Sequence, residues 1–300
     1  MYYSIANSPE AACERQCVES FRSLRRYNRD IRVHLFLFNG ATSAFLGEAA
    51  SHDVSVQYLG EYREFLRQLH VRGDALALCP TFHKFLTLEH APFGAARMLY
   101  LDCDTYFFDD VVRLFDTYAQ ADWYAREEPN SRRSQTGYDP SHIDEDQLSS
   151  LARIVGSQTF IPFNSGVCLL SDRVPQAFAQ VRITFLDLAW RLLTGQRIPH
   201  PPDNEYDAEI QQALRTLSAT DRARTLRYPS SNTWIIEQIA LWLALGHVPQ
   251  LSQGFLSPDD VAQGSEFHDG LRREHPIVLA HYFSVLEQEF FAAIRAPGRP

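Results

Sequence analysis

Short apolar runs separated by helical stretches make up the first third of the chain. These runs predict four strands, at Tyr2–Ala6, Arg32–Phe38, Val54–Leu59 and Arg97–Leu101. A helix is predicted to open at 7–9, where a capping side chain precedes proline, and another helical stretch covers about 81–90. Strands that are apolar throughout and alternate with helices indicate an α/β fold with a mostly parallel, Rossmann-like sheet and helices on both faces.

The remainder of the chain is less regular. The pattern predicts a strand, two helices, a further strand and a last helix, at Gly166–Ser171, 173–193, Asn232–Gly246, Ile277–Phe283 and up to about Ile294. Polar, turn-forming residues predict a loop at 128–142 and a connector at 198–203. We expect the tail at 296–300 to fray.

The composition limits the functions that the chain can have. Its 300 residues carry a net charge of −9, and Lys84 is the only lysine. Nucleic-acid binding is not expected, because phosphate backbones require clustered basic residues. No apolar run reaches the roughly 20 residues that span a bilayer, and no signal peptide is visible. The five cysteines lie mostly in apolar runs and fit free thiols, so we expect a cytoplasmic protein without a transmembrane segment.

The most informative segment is the apolar strand that leads into Asp102-Cys103-Asp104. Residues two apart on a strand point to the same face, so the two carboxylates are expected to converge. They lie at the carboxyl end of the strand, where open α/β sheets bind ligands. Close carboxylates repel each other unless a cation lies between them, and Mn²⁺ or Mg²⁺ suits oxygen ligands. The segment predicts a divalent metal site; the plainer interpretation is a pair of solvated acids at a turn.

Two enzyme classes place such a pair of aspartates after a strand. Haloacid-dehalogenase-type phosphatases use one aspartate as a nucleophile, together with a downstream lysine and a later acidic cluster. No lysine follows Lys84, and the pair Asp259-Asp260 lies in a Ser-Pro loop. The phosphatase alternative therefore fits poorly.

Four segments of the chain indicate the second class of enzyme. The stretch RMLYLDCDTYFFDDVVRLF at 97–115 resembles the metal-binding strand of GT-A fold glycosyltransferases. It is especially similar to family 8, which includes glycogenin and bacterial lipopolysaccharide hexosyltransferases. Three further segments follow in the order of that family: Phe163-Asn164-Ser165-Gly166, Glu237-Gln238 and Ala280-His281-Tyr282. An ordered set of this kind is more specific than any one member.

The resemblance implies a single GT-A-like domain over 1–295, with a nucleotide-binding half at 1–110 and a half for donor sugar and acceptor at 111–295. It implies transfer of a hexose from UDP-glucose or UDP-galactose to an acceptor hydroxyl, with retention of configuration. The implied ligands of Mn²⁺ or Mg²⁺ are Asp102, Asp104 and His281. The residues implied to bind the donor are Ala6, Asn7, Tyr62, Lys84, Asp102, Ser165 and Gly166. Those implied to act in catalysis are Asn164, Glu237 and Gln238.

Some of these residues also have plainer interpretations. His281 would fit a core histidine, Lys84 a surface lysine and Tyr62 a core aromatic residue. The buried character of the helix around Glu237 and Gln238 requires that this pair be bonded internally, lie on a narrow exposed edge or line a cavity.

The chain departs from the family after His281-Tyr282. In the family, a glycine and a Lys-Pro-Trp sequence follow, and the lysine helps to hold the diphosphate. In this chain the segment that begins at Phe283 replaces them, so an arginine such as Arg272 or Arg273 would take the place of that lysine. A non-catalytic protein that binds sugar nucleotides or glycans is therefore a second hypothesis. A sugar-1-phosphate nucleotidyltransferase is a third, although its glycine-rich loop is missing after the first strand. The acceptor stays open between a glycan, a lipid-linked sugar, a protein and a small molecule.

Overall fold

A computed structural model describes residues 1–6, 12–68, 83–90, 96–127, 163–194, 233–246, 248, 251–271, 277–283 and 286–295. Within these residues, ten strands form two sheets: β1 Tyr2–Ala6, β2 Val33–Phe38, β3 Val54–Tyr58, β4 Arg97–Leu101, β5 Thr105–Phe107, β6 Trp123–Glu127, β7 Phe163–Ser171, β8 Gln253–Phe255, β9 Val261–Gln263 and β10 Leu279–His281. The α-helices described are α1 Ala12–Tyr27, α2 Ser43–Ser51, α3 Tyr62–Gln68, α4 His83–Leu86, α5 Val112–Thr117, α6 Arg173–Thr194, α7 Thr233–Gly246, α8 Phe267–Gly270 and α9 Glu287–Ile294. Short 3₁₀ turns lie at Thr87–His90 and Gly264–Glu266.

The larger sheet has the strand order β3-β2-β1-β4-β7-β6-β8. Its first four strands are parallel to one another, as the apolar runs predict. Strand β7 departs from this arrangement, since it runs antiparallel to both β4 and β6. The antiparallel direction brings the beginning of β7 to the carboxyl end of β4, where Gly166 accepts a hydrogen bond from Asp102 N at 2.8 Å.

Both faces of the larger sheet are covered, because neighbouring positions on each central strand point in opposite directions. Tyr2 and Tyr100 face a core that includes Phe178 and Leu243 from α6 and α7. On the other face, Tyr3, Ile5, Leu99 and Leu101 pack against residues of α1 and α2, among them Phe21 and Phe45. This arrangement confirms the predicted α/β class.

The smaller sheet has the order β5-β10-β9. Three residues separate the end of β4 from the beginning of β5, so one short bend connects the two sheets. In the centre, β10 is antiparallel to β5 and parallel to β9. Tyr106 of β5 and Ala280 of β10 belong to a separate buried cluster that also contains Phe267 and Phe290.

The predicted element boundaries need three corrections. The strand predicted at Gly166–Ser171 begins earlier, at Phe163, and the late strand is confined to Leu279–His281. The helical stretch before β4 is split into α4 and a 3₁₀ turn. The predicted helix start at 7–9, the loop, the connector and the tail lie outside the described residues, and the first described helix begins at Ala12.

Candidate metal and donor site

The two aspartates lie in the bend between β4 and β5. The predicted alignment of the two carboxylates by a continuous strand is wrong, because Asp102, Cys103 and Asp104 all lie outside the strands. The bend is fixed from both sides. Asp102 N donates to Gly166 O at 2.8 Å, and Asp104 O accepts from Tyr282 N at 3.1 Å. The carboxylates are thus positioned by β7 and by the segment after β10.

His281 comes to the aspartates from the end of β10. Its Nε2 lies 3.2 Å from Asp104 Oδ1 and 3.8 Å from Asp102 Oδ2. The three residues, called the metal trio below, are the only such group among the described residues, with ligand atoms within 4.8 Å of one another. Two carboxylates and one imidazole are a suitable ligand set for Mn²⁺ and leave positions for substrate oxygens. The residues present therefore fit a divalent cation.

The imidazole of His281 is positioned by packing. A Cβ atom added to Gly166 would lie 2.0 Å from His281 Cε1, so only glycine leaves room for the ring. On another side, the Phe283 ring meets the imidazole edge to face, with centroids 4.7 Å apart. The Nδ1 atom is buried and has no hydrogen-bond partner among the described residues. Gly166 is predicted to bind the donor; in the structure, the space that its missing Cβ would fill is taken by the His281 ring.

Phe283 occupies the position at which the resembled family has a glycine. Its φ angle is 56°, in the left-handed region that glycine adopts most readily. A bulky residue in this conformation is uncommon and carries a conformational cost. The backbone therefore keeps a glycine-like conformation here, while the side chain packs against His281.

Lys84 is a positively charged side chain beside the metal trio. Its Nζ lies 2.8 Å from Asp102 Oδ2, 3.2 Å from Glu237 Oε1 and 3.2 Å from Ser165 Oγ. We call Lys84, Ser165 and Glu237 the lysine cluster. The interpretation of Lys84 as a surface residue is wrong, because only 7% of it is exposed. Burial alone would lower the pKa of Lys84, but the charges of Asp102 and Glu237 outweigh burial and raise it.

Glu237 is completely buried in α7. Its Oε1 accepts from Ser165 Oγ at 2.8 Å, whereas Oε2 has no hydrogen-bond partner among the described residues. Burial raises the pKa of Glu237 to about 7, although Lys84 and Ser165 act in the opposite direction. A buried carboxylate oxygen without a donor is costly in an apolar environment. Such an atom is typical of a site that acquires a partner when a ligand binds.

Gln238 and Asn164 fix the backbone at the beginning of β7. Gln238 Oε1 accepts from Ser165 N at 2.7 Å, and Asn164 Oδ1 accepts from Gly166 N at 3.0 Å. Glu237 and Gln238 on α7 are thus hydrogen-bonded within the protein. They contact β7, the strand that also contacts Asp102 and His281. Four separate sequence segments therefore come together at one edge of the sheet.

Tyr100 is a residue of the site that the sequence analysis missed. Its hydroxyl donates to Asp102 Oδ1 at 2.6 Å. Together with the bond from Lys84 to Oδ2, this contact gives each carboxylate oxygen of Asp102 a donor. Tyr100 precedes Asp102 by two positions, and this spacing was the available signal for a shared direction.

The residues predicted to bind the nucleotide lie at the end of β1 and nearby. Ala6 is the last residue of β1 and is buried. Tyr62 is 3% exposed, and its ring centroid lies 5.3 Å from that of Phe38 and 6.0 Å from that of His83. His83 Nδ1 is 2.7 Å from Ser4 Oγ, and burial lowers the pKa of His83 to about 3. Asn7, Arg272 and Arg273 lie outside the described residues.

The sheet and the metal trio define the class of protein: an α/β, Rossmann-like domain with a carboxylate–imidazole site at the carboxyl end of a central parallel strand. No helix in the described part of the chain combines the length and apolarity needed to cross a membrane.

Two solved structures are similar to this chain. Mouse xyloside xylosyltransferase 1, in its apo form, matches 95% of this chain and 97% of its own, with a TM-score of 0.54 and 13% sequence identity. The galactosyltransferase LgtC, in complex with donor and acceptor sugar analogs, matches 100% of this chain and 98% of its own, with a TM-score of 0.49 and 13% identity. No protein-family model and no curated protein matches the sequence. The likeness to the mouse protein confirms the fold; the activity must be argued from the site.

Proposed function

We propose that the chain is a metal-dependent glycosyltransferase that moves a hexose from a UDP-sugar to an acceptor hydroxyl with retention of configuration. The observation that carries the proposal is the metal trio at the carboxyl end of β4, in a fold shared with a protein named as a xylosyltransferase. UDP-glucose and UDP-galactose are the proposed donors because of the resemblance of the four sequence segments to family 8.

The charges at the site support a divalent cation and a diphosphate. When all are ionised, the carboxylates of Asp102, Asp104 and Glu237 and the ammonium of Lys84 leave two negative charges, which a divalent cation would balance. When bound, Mn²⁺ or Mg²⁺ supplies Lewis acidity that stabilises the charge on a leaving diphosphate. Asp102, Asp104 and His281 would hold it. Tyr100 and Lys84 orient Asp102 through its two oxygens.

The lysine cluster is proposed to act at the reacting sugar. Ser165 and Lys84 hold Glu237 Oε1, which leaves Oε2 to face the developing positive charge at the anomeric carbon. Gln238 keeps Ser165 in place through its backbone nitrogen. Asn164 fixes the adjacent turn of β7. In the retaining reaction, the acceptor hydroxyl attacks from the leaving-group face and its proton passes to the departing phosphate.

The contacts of Asp260 argue against the phosphatase alternative. This residue accepts hydrogen bonds from Arg113 at 2.9 Å and Tyr118 at 2.6 Å. Its carboxylate therefore stabilises the packing of β9 and is bonded away from the metal trio.

Thermal unfolding with a panel of nucleotides tests the donor and the metal together. We expect UDP to raise the melting temperature with Mn²⁺ and to have no effect in EDTA. Ligand at 100 times its Kd adds about 2.7 kcal/mol of stability. ADP with Mn²⁺ is the matched control for the base.

Release of UDP from UDP-glucose, UDP-galactose and UDP-xylose then identifies the sugar. Equal stabilisation by UDP with and without metal would contradict the metal site. Binding of UDP without turnover on any sugar and acceptor tried would favour the non-catalytic hypothesis.

A further inference from the structure

Three buried hydroxyl groups form a continuous series of hydrogen bonds that ends at the metal bend. Tyr3 OH lies 2.8 Å from Ser20 Oγ, which lies 2.9 Å from Thr105 Oγ1. Thr105 Oγ1 donates to the backbone oxygen of Asp102 at 3.0 Å. We call Tyr3, Ser20 and Thr105 the hydroxyl chain; all three residues are completely buried. They belong to β1, α1 and β5, so the hydroxyl chain joins three elements at the bend.

The direction of each of these hydrogen bonds follows from the number of protons. The backbone oxygen of Asp102 can only accept, so Thr105 uses its single hydroxyl proton there. Thr105 must then accept from Ser20, and Ser20, whose proton is thus used, must accept from Tyr3. Burial raises the pKa of Tyr3 above its ordinary value, so its hydroxyl stays protonated and donates. The hydroxyl chain therefore has one arrangement of protons, which runs from β1 to Asp102.

Thr105 is connected to every member of the metal trio. It follows Asp104 directly in the sequence, and its side chain bonds the backbone of Asp102. In the smaller sheet, Thr105 is the register partner of His281. A displacement of Thr105 therefore reaches the two aspartates through the bend and the histidine through the strand pairing.

We propose that Thr105 is a positioning residue of the metal trio, and that Ser20 and Tyr3 hold its hydroxyl in place. The role rests on the proposed function, because it takes the metal trio as the cation site. Asp102 N donates to Gly166 O, and Asp102 O accepts from Thr105, so the backbone of this ligand is fixed on both sides. Without the Thr105 hydroxyl, the peptide that follows Asp102 is free to turn. Functional groups must keep within about 0.5 Å of their productive geometry, so the affinity for the cation falls.

Variants at Thr105 separate the hydroxyl from the shape of the side chain. Thr105→Val keeps the shape and removes the proton, so the Asp102 oxygen loses this donor and the Ser20 hydroxyl loses its acceptor. Mn²⁺ alone is titrated into the metal-free full chain by calorimetry, without any sugar donor. We expect the Mn²⁺ affinity of Thr105→Val to fall roughly tenfold or more. Thr105→Ser retains the hydroxyl and should bind Mn²⁺ almost as tightly as the wild type.

The far end of the hydroxyl chain is tested with Tyr3→Phe, which removes the first donor and leaves Thr105 unchanged. Mn²⁺ affinity should fall roughly threefold, near the lower end of what one hydrogen bond contributes. Added to Thr105→Val, the Tyr3→Phe change should lower the affinity no further, because the two residues act through the same series of bonds.

Ser23→Ala is the matched control. Ser23 is also completely buried on α1, and its hydroxyl accepts from Phe107 N at 3.1 Å and donates to the backbone oxygen of Ser20 at 2.9 Å. It thus holds α1 against β5 beyond the metal bend. The variant should lower the melting temperature and keep the Mn²⁺ affinity of the wild type.

Wild-type Mn²⁺ affinity in Thr105→Val would overturn the positioning role, and so would an equal loss of affinity in Ser23→Ala. Unchanged affinity in Tyr3→Phe would overturn the role of the hydroxyl chain, also where Thr105→Val does not fold. A wild-type chain that binds no Mn²⁺ would overturn the metal trio and the positioning role together. Mn²⁺ binding without transferase activity would contradict the proposed function and leave the affinities of the variants as the test of Thr105.

Discussion

The buried carboxylate of Asp122 and the carboxylates at the metal bend differ in the hydrogen bonds that their oxygens accept. Asp122, which precedes β6, accepts from Ser171 Oγ at 2.8 Å, from Ser252 N at 3.0 Å and from Arg173 at 3.1 Å. At the metal bend, by contrast, Glu237 keeps one oxygen without a donor in the described structure. The metal trio also brings two carboxylates and an imidazole within 4.8 Å of one another.

The pKa values follow the same division. Burial alone would raise the pKa of Asp122, but hydrogen bonds from Ser252 and Ser171 and the charge of Arg173 outweigh it, and that pKa is lowered. At Glu237 the effect of burial is larger than the opposing effects of Lys84 and Ser165, and the pKa rises to about 7. A carboxylate with a complete set of donors stabilises the fold, whereas two neighbouring carboxylates, and the Glu237 oxygen without a donor, favour a bound ligand. The following variants test this distinction.

The largest expected effect is on catalysis at Asp104. Asp104→Ala should lower metal-dependent release of UDP at least about 10²-fold, because it removes a ligand that holds charge at the leaving group. The melting temperature without metal should stay at or above the wild-type value, since repulsion within the metal trio is relieved. Asp116→Ala, at an exposed position of α5, is the matched control. Full activity of Asp104→Ala would contradict the metal trio.

The opposite result is expected at Asp122. Asp122→Ala should lower the free energy of unfolding by about 2–3 kcal/mol, because the Ser171 and Ser252 donors are left without their acceptor. Urea denaturation measures this loss. Turnover per folded molecule and Mn²⁺ affinity should be those of the wild type. A variant that is stable but inactive would show that the two groups of carboxylates cannot be separated in this way.

A methyl group next to His281 tests the positioning of the third ligand. In Gly166→Ala the added carbon would lie 2.0 Å from the imidazole, so the ring must move. We expect Mn²⁺ affinity to fall roughly 10–100-fold. Gly47→Ala in α2 is the control, since nothing lies within 4 Å of its added Cβ. Wild-type affinity of Gly166→Ala would mean that His281 is not a ligand.

The smallest effect is a difference in pH dependence. Because the pKa of Glu237 is about 7 in the folded protein, against an ordinary value of about 4.3, the folded state binds the proton more tightly. This contribution to stability is present at low pH and is lost as the pH rises from about 4.5 to 7, by at most about 1.4 kcal/mol per pH unit. In EDTA, Glu237→Gln should lose this slope. An unchanged slope would show that Glu237 is already ionised.

Much of the fold was accessible from the sequence, because its signal is local. The apolar runs located β1 and β4 correctly, and the four short segments supplied the metal trio together with Ser165, Glu237 and Gln238. The antiparallel direction of β7 was not accessible, since apolar periodicity contains no information on strand direction. The same limit explains the error at the metal bend: Asp102 and Asp104 converge because β7 and the segment after β10 hold the bend.

The side-chain contacts of the site were harder still to predict. Tyr100 had a signal in its spacing from Asp102. The contacts of Lys84 with Asp102 and Glu237 bring together residues far apart in the sequence, and no local pattern encodes them. The contact of the Cys103 thiol with Gln16 of α1 likewise joins residues far apart in the sequence.

The position of β10 late in the chain sets an order of events during synthesis on the ribosome. The first four strands and both aspartates lie within residues 1–104, whereas His281 follows Asp104 by 177 residues. Pairings over such a sequence separation close late, because the intervening chain must first be ordered. A nascent chain therefore exposes the two aspartates with an incomplete ligand set. The proposed metal site would therefore be complete only after His281 has been synthesised and β10 has paired with β5.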